Sequence, residues 1–310
     1  MLQRNSKLGK ARKFPSVAII GPGRIGQALG RLLADSGVPV AFVAARRPAS
    51  ACRAVRFIGQ GTPVPISDRR LHTASVLLIT TSDSAIADLA VELAQLTAGR
   101  DAWKGKVVLH TCGSLPSSVL QPLKLRGAHV GSLHPYQTVP GPQAGVRNLH
   151  GCHWGLEGDP KALRVARSWV KLLGGVAFSI RPSDKTLYHL SAFIVCPTVV
   201  TLMAQAASLL KLVGVPDKIS RPMLRKFVAE TARNFEDLGV RALTGPAVRG
   251  DWPTIHRHLT ALRKAAPELE PVYQSLLRAM LTLAGAGSIF SGKHKVKPKG
   301  KGQRSKGKSG

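Results

Sequence analysis

The stretch Ser16–Gly30, SVAIIGPGRIGQALG, decides how this chain is read. Val17–Ile20 is a short apolar run suited to a buried strand, and it passes directly into Gly21-Pro22-Gly23-Arg24-Ile25-Gly26. From there Ile25, Leu29, Leu32 and Leu33 recur at helical spacing. Strand, glycine turn and helix in this order form the context in which G-x-G-x-x-G signals dinucleotide binding. Gly21 permits the tight turn, and Gly23 lets the backbone approach a pyrophosphate. Gly26 removes a Cβ where helix packs on strand, Gly30 extends that packing one turn on, and the helix N-terminus offers free N–H groups to the phosphates. The cofactor assignment therefore starts from Gly21, Pro22, Gly23, Arg24, Ile25 and Gly26.

The second strand, Val38 to Ala45, decides which nucleotide is expected. An enzyme that uses NAD places an acid near the end of this strand to hold the ribose 2′-hydroxyl. Here the strand runs into Arg46-Arg47 with no acid nearby. A carboxylate would repel a 2′-phosphate, whereas a guanidinium grips one in bidentate fashion, so NADP is favoured over NAD.

Composition bounds the remaining possibilities. A chain of 310 residues with 44% apolar and 20% charged residues has the length for two domains and a sizeable core. Its 45 Lys and Arg against 16 Asp and Glu give a net charge of +29, partly concentrated at the ends. Residues 1–14 carry Arg4, Lys7, Lys10, Arg12 and Lys13, and residues 291–310 are mostly Lys, Gly and Ser; neither segment contains an acid. Both read as basic tails, the second as disordered. Such tails either bind nucleic acid non-specifically through salt-sensitive phosphate contacts or serve as solubilising segments. Cys52, Cys112, Cys152 and Cys196 are scattered without a C-x-x-C pair, which argues for reduced thiols in a cytoplasm and against a zinc site. Thr186 to Leu210 has no charged residue and is long enough to cross a membrane. Its Pro197 and scattered polar residues fit a buried helix of a second domain or a dimer better, so no membrane partner is expected.

Further along, strand patterns alternate with helical ones. Ala49 to Ile58 reads as a helix, with a short strand near Val64. Ala74 to Thr81 is a strand followed by a helix from Ala85 to Leu96 that Asp83 or Ser84 would cap. Lys106 to Thr111 is a strand with a helix from Pro116 onward, Ala128 to Leu133 another, and Gly151 to Gly158 and Gly175 to Ile180 two more around a helix from Pro160 to Leu173. Alternation of this kind predicts an α/β, Rossmann-type, mostly parallel sheet, with ligands beyond the carboxyl ends of its strands. Thr81, Ser82, Thr111 and Gly113 fall at those ends and are expected at the cofactor. Beyond Arg181-Pro182 only helical patterns follow. The expected organisation is a basic tail (1–14), an NADP-binding domain (15–181), an all-helical C-terminal domain (182–290) and a second tail (291–310).

His110-Thr111-Cys112-Gly113-Ser114, Leu133-His134-Pro135-Tyr136-Gln137-Thr138, Tyr188-His189 and Leu243-Thr244-Gly245-Pro246-Ala247-Val248-Arg249-Gly250-Asp251 add to the glycine motif. Over about residues 15–290 the chain resembles two-domain NADP-binding oxidoreductases whose Rossmann-like half precedes a helical domain of unknown function. That group is related to prephenate dehydrogenase, pyrroline-5-carboxylate reductase and the ketopantoate and β-hydroxyacid dehydrogenases. The resemblance implies hydride transfer between NADP(H) and a small carbonyl, imine or hydroxy compound, and a homodimer through the helical domain. It places His134 where prephenate dehydrogenases carry a histidine that hydrogen-bonds the reacting hydroxyl, a task suited to an imidazole. His189 is the second catalytic candidate. Ser114, Gln137, Arg249 and Asp251 are expected at the substrate, although Arg249 and Asp251 equally fit a structural ion pair. One departure is plain: relatives carry Asn on the long helix and, in the β-hydroxyacid group, Lys one turn earlier, where this chain has Pro197 and Phe193. Either the chemistry rests on His134 and His189, or the chain binds nucleotide with weakened catalysis. A protein led by its basic tails to nucleic acid is the remaining alternative.

Overall fold

The structure, a computed structural model, describes residues 14–99 and 101–290. The tail readings for residues 1–13 and 291–310 therefore lie outside the described residues. Strands β1 (Val17–Ile20), β2 (Val40–Ala44), β3 (Thr62–Val64), β4 (Val76–Ile79), β5 (Val107–His110), β6 (His129–Pro135), β7 (His153–Gly158) and β8 (Val176–Ser179) form one sheet. Its order is β3-β2-β1-β4-β5-β6-β7-β8. Neighbours run parallel except β6 and β7, which are antiparallel.

The three central strands β1, β4 and β5 are buried throughout. Such strands must be apolar on both faces, which is why they read as continuous apolar runs. Alternate residues feed two cores. Val17, Ile19, Val76, Leu78, Val107 and Leu109 pack on one face with the helices α1 (Arg24–Asp35), α2 (Pro48–Ile58) and, through Trp169, the later α6 (Pro160–Leu172). Ala18, Ile20, Leu77, Ile79 and Val108 pack on the other face with α3 (Ile86–Gln95) and Trp103. The α/β sheet covered on both sides is the architecture that the alternation predicts.

Local readings needed correction. Neither Asp83 nor Ser84 caps α3: a 3-10 turn, Asp83–Ala85, precedes it, and Ala85 occupies the cap position without a side-chain bond. The Asp83 carboxylate instead accepts from the Ser114 hydroxyl at 3.2 Å. After β5 the chain makes a 3-10 turn, Ser117–Leu120, and only the short helix α4 (Gln121–Lys124). The helix α5 (Pro142–Leu149), too short for its periodicity to declare it, packs on α1 with Gly145 against Ala28.

The chain divides into two compact units between Thr198 and Val199. The division falls within the long helix α7 (Lys185–Leu212). The second unit continues with α8 (Asp217–Leu238), α9 (Pro246–Arg249), α10 (Trp252–Ala265) and α11 (Glu270–Phe290), and no strand occurs among its described residues. α7 runs unbroken through Pro197. Proline cannot donate to the carbonyl four residues back, and that Phe193 carbonyl accepts from Thr198 Oγ1 at 3.5 Å.

The segment Pro182–Leu212 has the length and composition of a membrane-crossing helix, with mean hydropathy 1.9. It was expected to be buried in a second domain or a dimer, and within one chain Lys185 is the only fully buried residue of α7. Phe193, Ile194, Val195 and Val200 are each more than half exposed. One copy of the chain does not supply the neighbours that this apolar surface calls for.

Candidate active site

The parallel register brings the ends of the strands together. Ile20 pairs with both Ala44 and Ile79, Ile79 with His110, and His110 with Ser132. The residues that follow, Gly21, Arg46-Arg47, Thr80-Thr81, Thr111–Gly113 and His134, therefore share one edge of the sheet. Gly21 adopts φ +73 and donates its N–H to the Ala44 carbonyl at 2.9 Å; a side chain there would be strained and would strike Thr81. Gly26 lies against Thr80, whose hydroxyl donates to the Gly21 carbonyl at 2.8 Å. The turn is thus tied to both neighbouring strands. α1 starts at Arg24 with Gly23 at its cap, no side chain on its first N–H groups and no acid in its first turn.

A cavity of about 350 Å³ opens above this turn. Arg24 and Ile25 line it from α1, Thr81, Ser82, Thr111 and Gly113 from the strand ends, and His134, Gln137 and His189 from the far side. Nine of the eighteen residues expected at the cofactor, the substrate or the proton transfer thus meet in one place. Gly21, Pro22, Gly23 and Gly26 form the turn itself. Arg46 and Arg47 are exposed just beyond β2, Arg47 in the cap position of α2. Ser114 donates to Asp83, which itself lines the cavity. Arg249 and Asp251 belong to the second unit. There Asp251 caps α10, accepting from the Thr254 N–H at 3.2 Å. No ion pair joins it to Arg249 among the described residues.

His134 stands at the penultimate position of β6. Its Nδ1 meets the Tyr188 hydroxyl at 2.8 Å, and its ring lies edge-on to Tyr188 and His189 at 5.4 and 5.7 Å. Its Nε2 is turned toward Gly113, where a Cβ would come within 2.7 Å of it and within 2.6 Å of His189 Cδ2. Only glycine leaves the rings room at that strand end. Tyr136 donates to Ser191 Oγ at 3.0 Å, since that hydroxyl's own proton goes to the Tyr188 carbonyl at 2.6 Å.

Beneath the cavity lies a polar layer. Lys185, 1% exposed, donates to the Cys112 carbonyl at 3.0 Å and to Ser132 Oγ at 2.7 Å. Glu157 accepts from both the N–H and the hydroxyl of Ser117 at 2.6 Å. The buried His110 takes the Cys112 N–H on its Nδ1 at 3.2 Å. Burial first, and the Lys185 charge second, push both His110 and His134 down to about 3. Burial also lowers the Lys185 ammonium, against the attraction of Glu157. It raises the Tyr188 phenol, which stays protonated at neutral pH.

Lys185 was missed because the lysine was sought at residue 193, one turn before the expected asparagine. A lysine does enter the site, but from the first turn of α7, about two turns earlier. A signal existed: Lys185 and His189 are four apart and share a helix face. Residue 197 does not line the cavity.

Residues 2–135 match the family model of a Rossmann-like domain, and residues 152–280 match that of a domain of unknown function, DUF2520. The chain joins a Rossmann-like domain to a DUF2520 domain. No curated protein matches it. Among solved structures, a candidate NADP oxidoreductase from Bacteroides fragilis superposes with TM-score 0.71 at 23% identity, over 87% of this chain and 99% of its own. A Thermotoga maritima protein gives 0.66 at 20% identity, over 88% and 99%. An imine reductase from Myxococcus stipitatus, in complex with NADP+, gives 0.61 at 13% identity, over 91% and 96%. At these identities the likeness is one of fold. Both matched regions contribute: the Rossmann-like match ends with His134-Pro135, and the DUF2520 match supplies His189 to the cavity wall and Glu157, Lys185 and Tyr188 to the groups packed around it.

Proposed function

We propose that the protein is an NADPH-dependent oxidoreductase acting on a small carbonyl, imine or hydroxy-acid substrate. The observation that carries this reading is His134, its Nε2 facing a cavity that begins at a dinucleotide-type glycine turn. The site suits a dinucleotide on its own terms. The Gly21 cradle has no room for a side chain, the N–H groups of α1 are uncovered, and Thr81 Oγ1 is buried without a partner among the described residues. Gly21–Gly26 would hold the pyrophosphate, Arg46 and Arg47 the 2′-phosphate, and Thr81, Ser82, Thr111 and Gly113 the nicotinamide half. Bound there, the cofactor supplies a hydride to the electrophilic carbon. His134 donates a hydrogen bond to the oxygen or nitrogen bonded to that carbon as the double-bond pair moves onto it, and the proton that completes the product is taken up from solvent water. Gln137 and Ser114 orient the rest of the substrate, with His189 closing the cavity beside His134. The fold shared with an NADP+-bound imine reductase supports the same assignment.

The test is NADPH oxidation by the full chain with ketopantoate, pyrroline-5-carboxylate and simple 2-oxo acids. Turnover of one compound, abolished by excess NADP+, is expected. Failure to bind NADPH at all would end this reading.

A homodimer through the helical unit is part of the proposal. Its support is apolar surface that one chain leaves open, with Phe193 60% and Phe227 71% exposed. Sedimentation equilibrium of the full chain is expected to give twice the 33.0 kDa chain mass, and a monomer would remove the dimer from the proposal. The four unpaired cysteines fit a cytoplasmic setting.

A further inference from the structure

The hydrogen bond between Tyr188 and His134 has a direction, and that direction decides what the histidine can do. A neutral imidazole carries one proton, and whichever nitrogen accepts a bond leaves the other as the donor. The Tyr188 hydroxyl has one proton to place. His134 Nδ1, at 2.8 Å, is the acceptor the structure offers it among the described residues. The reverse arrangement, Nδ1–H to the phenol oxygen, would leave the hydroxyl proton without an acceptor among the described residues. The seat of Tyr188 is also built. Its ring packs against Phe178 and Tyr136 at centroid distances of 5.9 and 5.5 Å. Its hydroxyl lies over bare Gly155, where a Cβ would come within 2.8 Å of the oxygen. Gly155 is the residue paired with His134 across β6 and β7. One backbone pair thus carries the histidine on one strand and makes room for its partner on the other.

We propose that Tyr188 is a positioning residue that fixes His134 as the Nε2–H tautomer, so that the histidine presents a neutral N–H donor to the cavity. The inference rests on the oxidoreductase reading for its functional meaning, and it narrows the substrate class. The atom that His134 meets must be a hydrogen-bond acceptor in the ground state, as a carbonyl oxygen or an imine nitrogen is. A protonated iminium nitrogen, with no lone pair, would face a donor and be rejected. Burial and the Lys185 cation below agree with this, since both disfavour a charged imidazolium.

Long-range 15N–1H correlation spectra of the full chain, with His134 signals assigned by their loss in His134→Gln, read the tautomer without any substrate. Nδ1 is expected at the shift of an unprotonated ring nitrogen and Nε2 at that of a protonated one. In Tyr188→Phe the Nδ1 resonance should move and the second tautomer should appear. Protonation at Nδ1 in the unmodified protein would overturn the proposal, as would a spectrum that Tyr188→Phe leaves unaltered. NADPH titration of the same sample keeps the two ideas apart. A protein with the Nε2–H tautomer that does not bind NADPH defeats the oxidoreductase reading alone, and one that binds NADPH with Nδ1 protonated defeats this inference alone.

Discussion

Exchanging Arg46 and Arg47 together for alanine is expected to weaken NADPH binding by about 30- to 100-fold, while NADH changes by less than about threefold. The size follows from two charge-assisted contacts to one phosphate, at about 1.5–3 kcal/mol for a hydrogen bond to a charged group, discounted because both side chains are exposed and screened. The geometry supports the choice of residues. β1 and β2 run side by side with Ile20 opposite Ala44 and Gly21 donating to the Ala44 carbonyl, so the arginines emerge beside the glycine turn. Neither forms an ion pair among the described residues, so neither guanidinium is committed elsewhere. Arg47 also stands at the cap of α2, whose first turn holds no acid and adds a second set of N–H groups of favourable sign. Fluorescence titration with each nucleotide gives the two constants. Equal affinity of the unmodified protein for NADPH and NADH would sink the assignment, whatever the variant does.

What could be read from the chain beforehand divides along physical lines. The sheet was legible because strands buried on both faces need apolar runs, and Val17–Ile20, Val76–Ile79 and Val107–His110 supply them between glycine and proline breaks. The glycine turn was legible because each glycine has a steric reason that no other residue meets. His134 was legible because it follows an apolar run that ends at the same edge. Short elements were not: α4 and α5 are too brief for a helical period. The cap role of Asp251 was not legible beside the substrate and ion-pair readings, although Asp followed closely by Pro253 is also the pattern of a helix start, and in the structure its carboxylate caps α10. Lys185 and Tyr188 reach their partners across more than fifty residues of chain. No local pattern reports such a pairing, and the lysine spacing of the β-hydroxyacid group points to Phe193 and away from the lysine that the fold delivers. What covers α7 was not legible for another reason. An apolar run says that something must cover it, not that the same chain will.

His134→Ala should lower kcat by about 100- to 1000-fold with the first compound that turns over, while the NADPH constant shifts by less than about threefold. The loss is that of a positioned donor, and the glycine turn and arginines proposed to hold the phosphates do not include His134. The pH profile says more than the magnitude. Burial, then Lys185 below and His189 beside it, hold His134 at about 3 against the weaker opposing pull of Asp83, with the Tyr188 phenol on its Nδ1. The folded protein therefore carries a neutral His134 throughout the range from about pH 5 to 8, and its donor strength does not change there. Unmodified enzyme should show no His134-dependent limb across that range. An imidazolium acid with an ordinary histidine pKa would instead lose about tenfold in rate per pH unit above about 6.5. Replacing Lys185 by methionine removes the charge but not the burial. The His134 titration should then move upward, toward but not reaching its ordinary value, and an acid-side inflection should enter the measured range. A falling limb near pH 6.5 in the unmodified enzyme that is missing from His134→Gln would show that the histidine works as a cation. The buried lysine would then be holding the strand ends together without setting the charge of its neighbour.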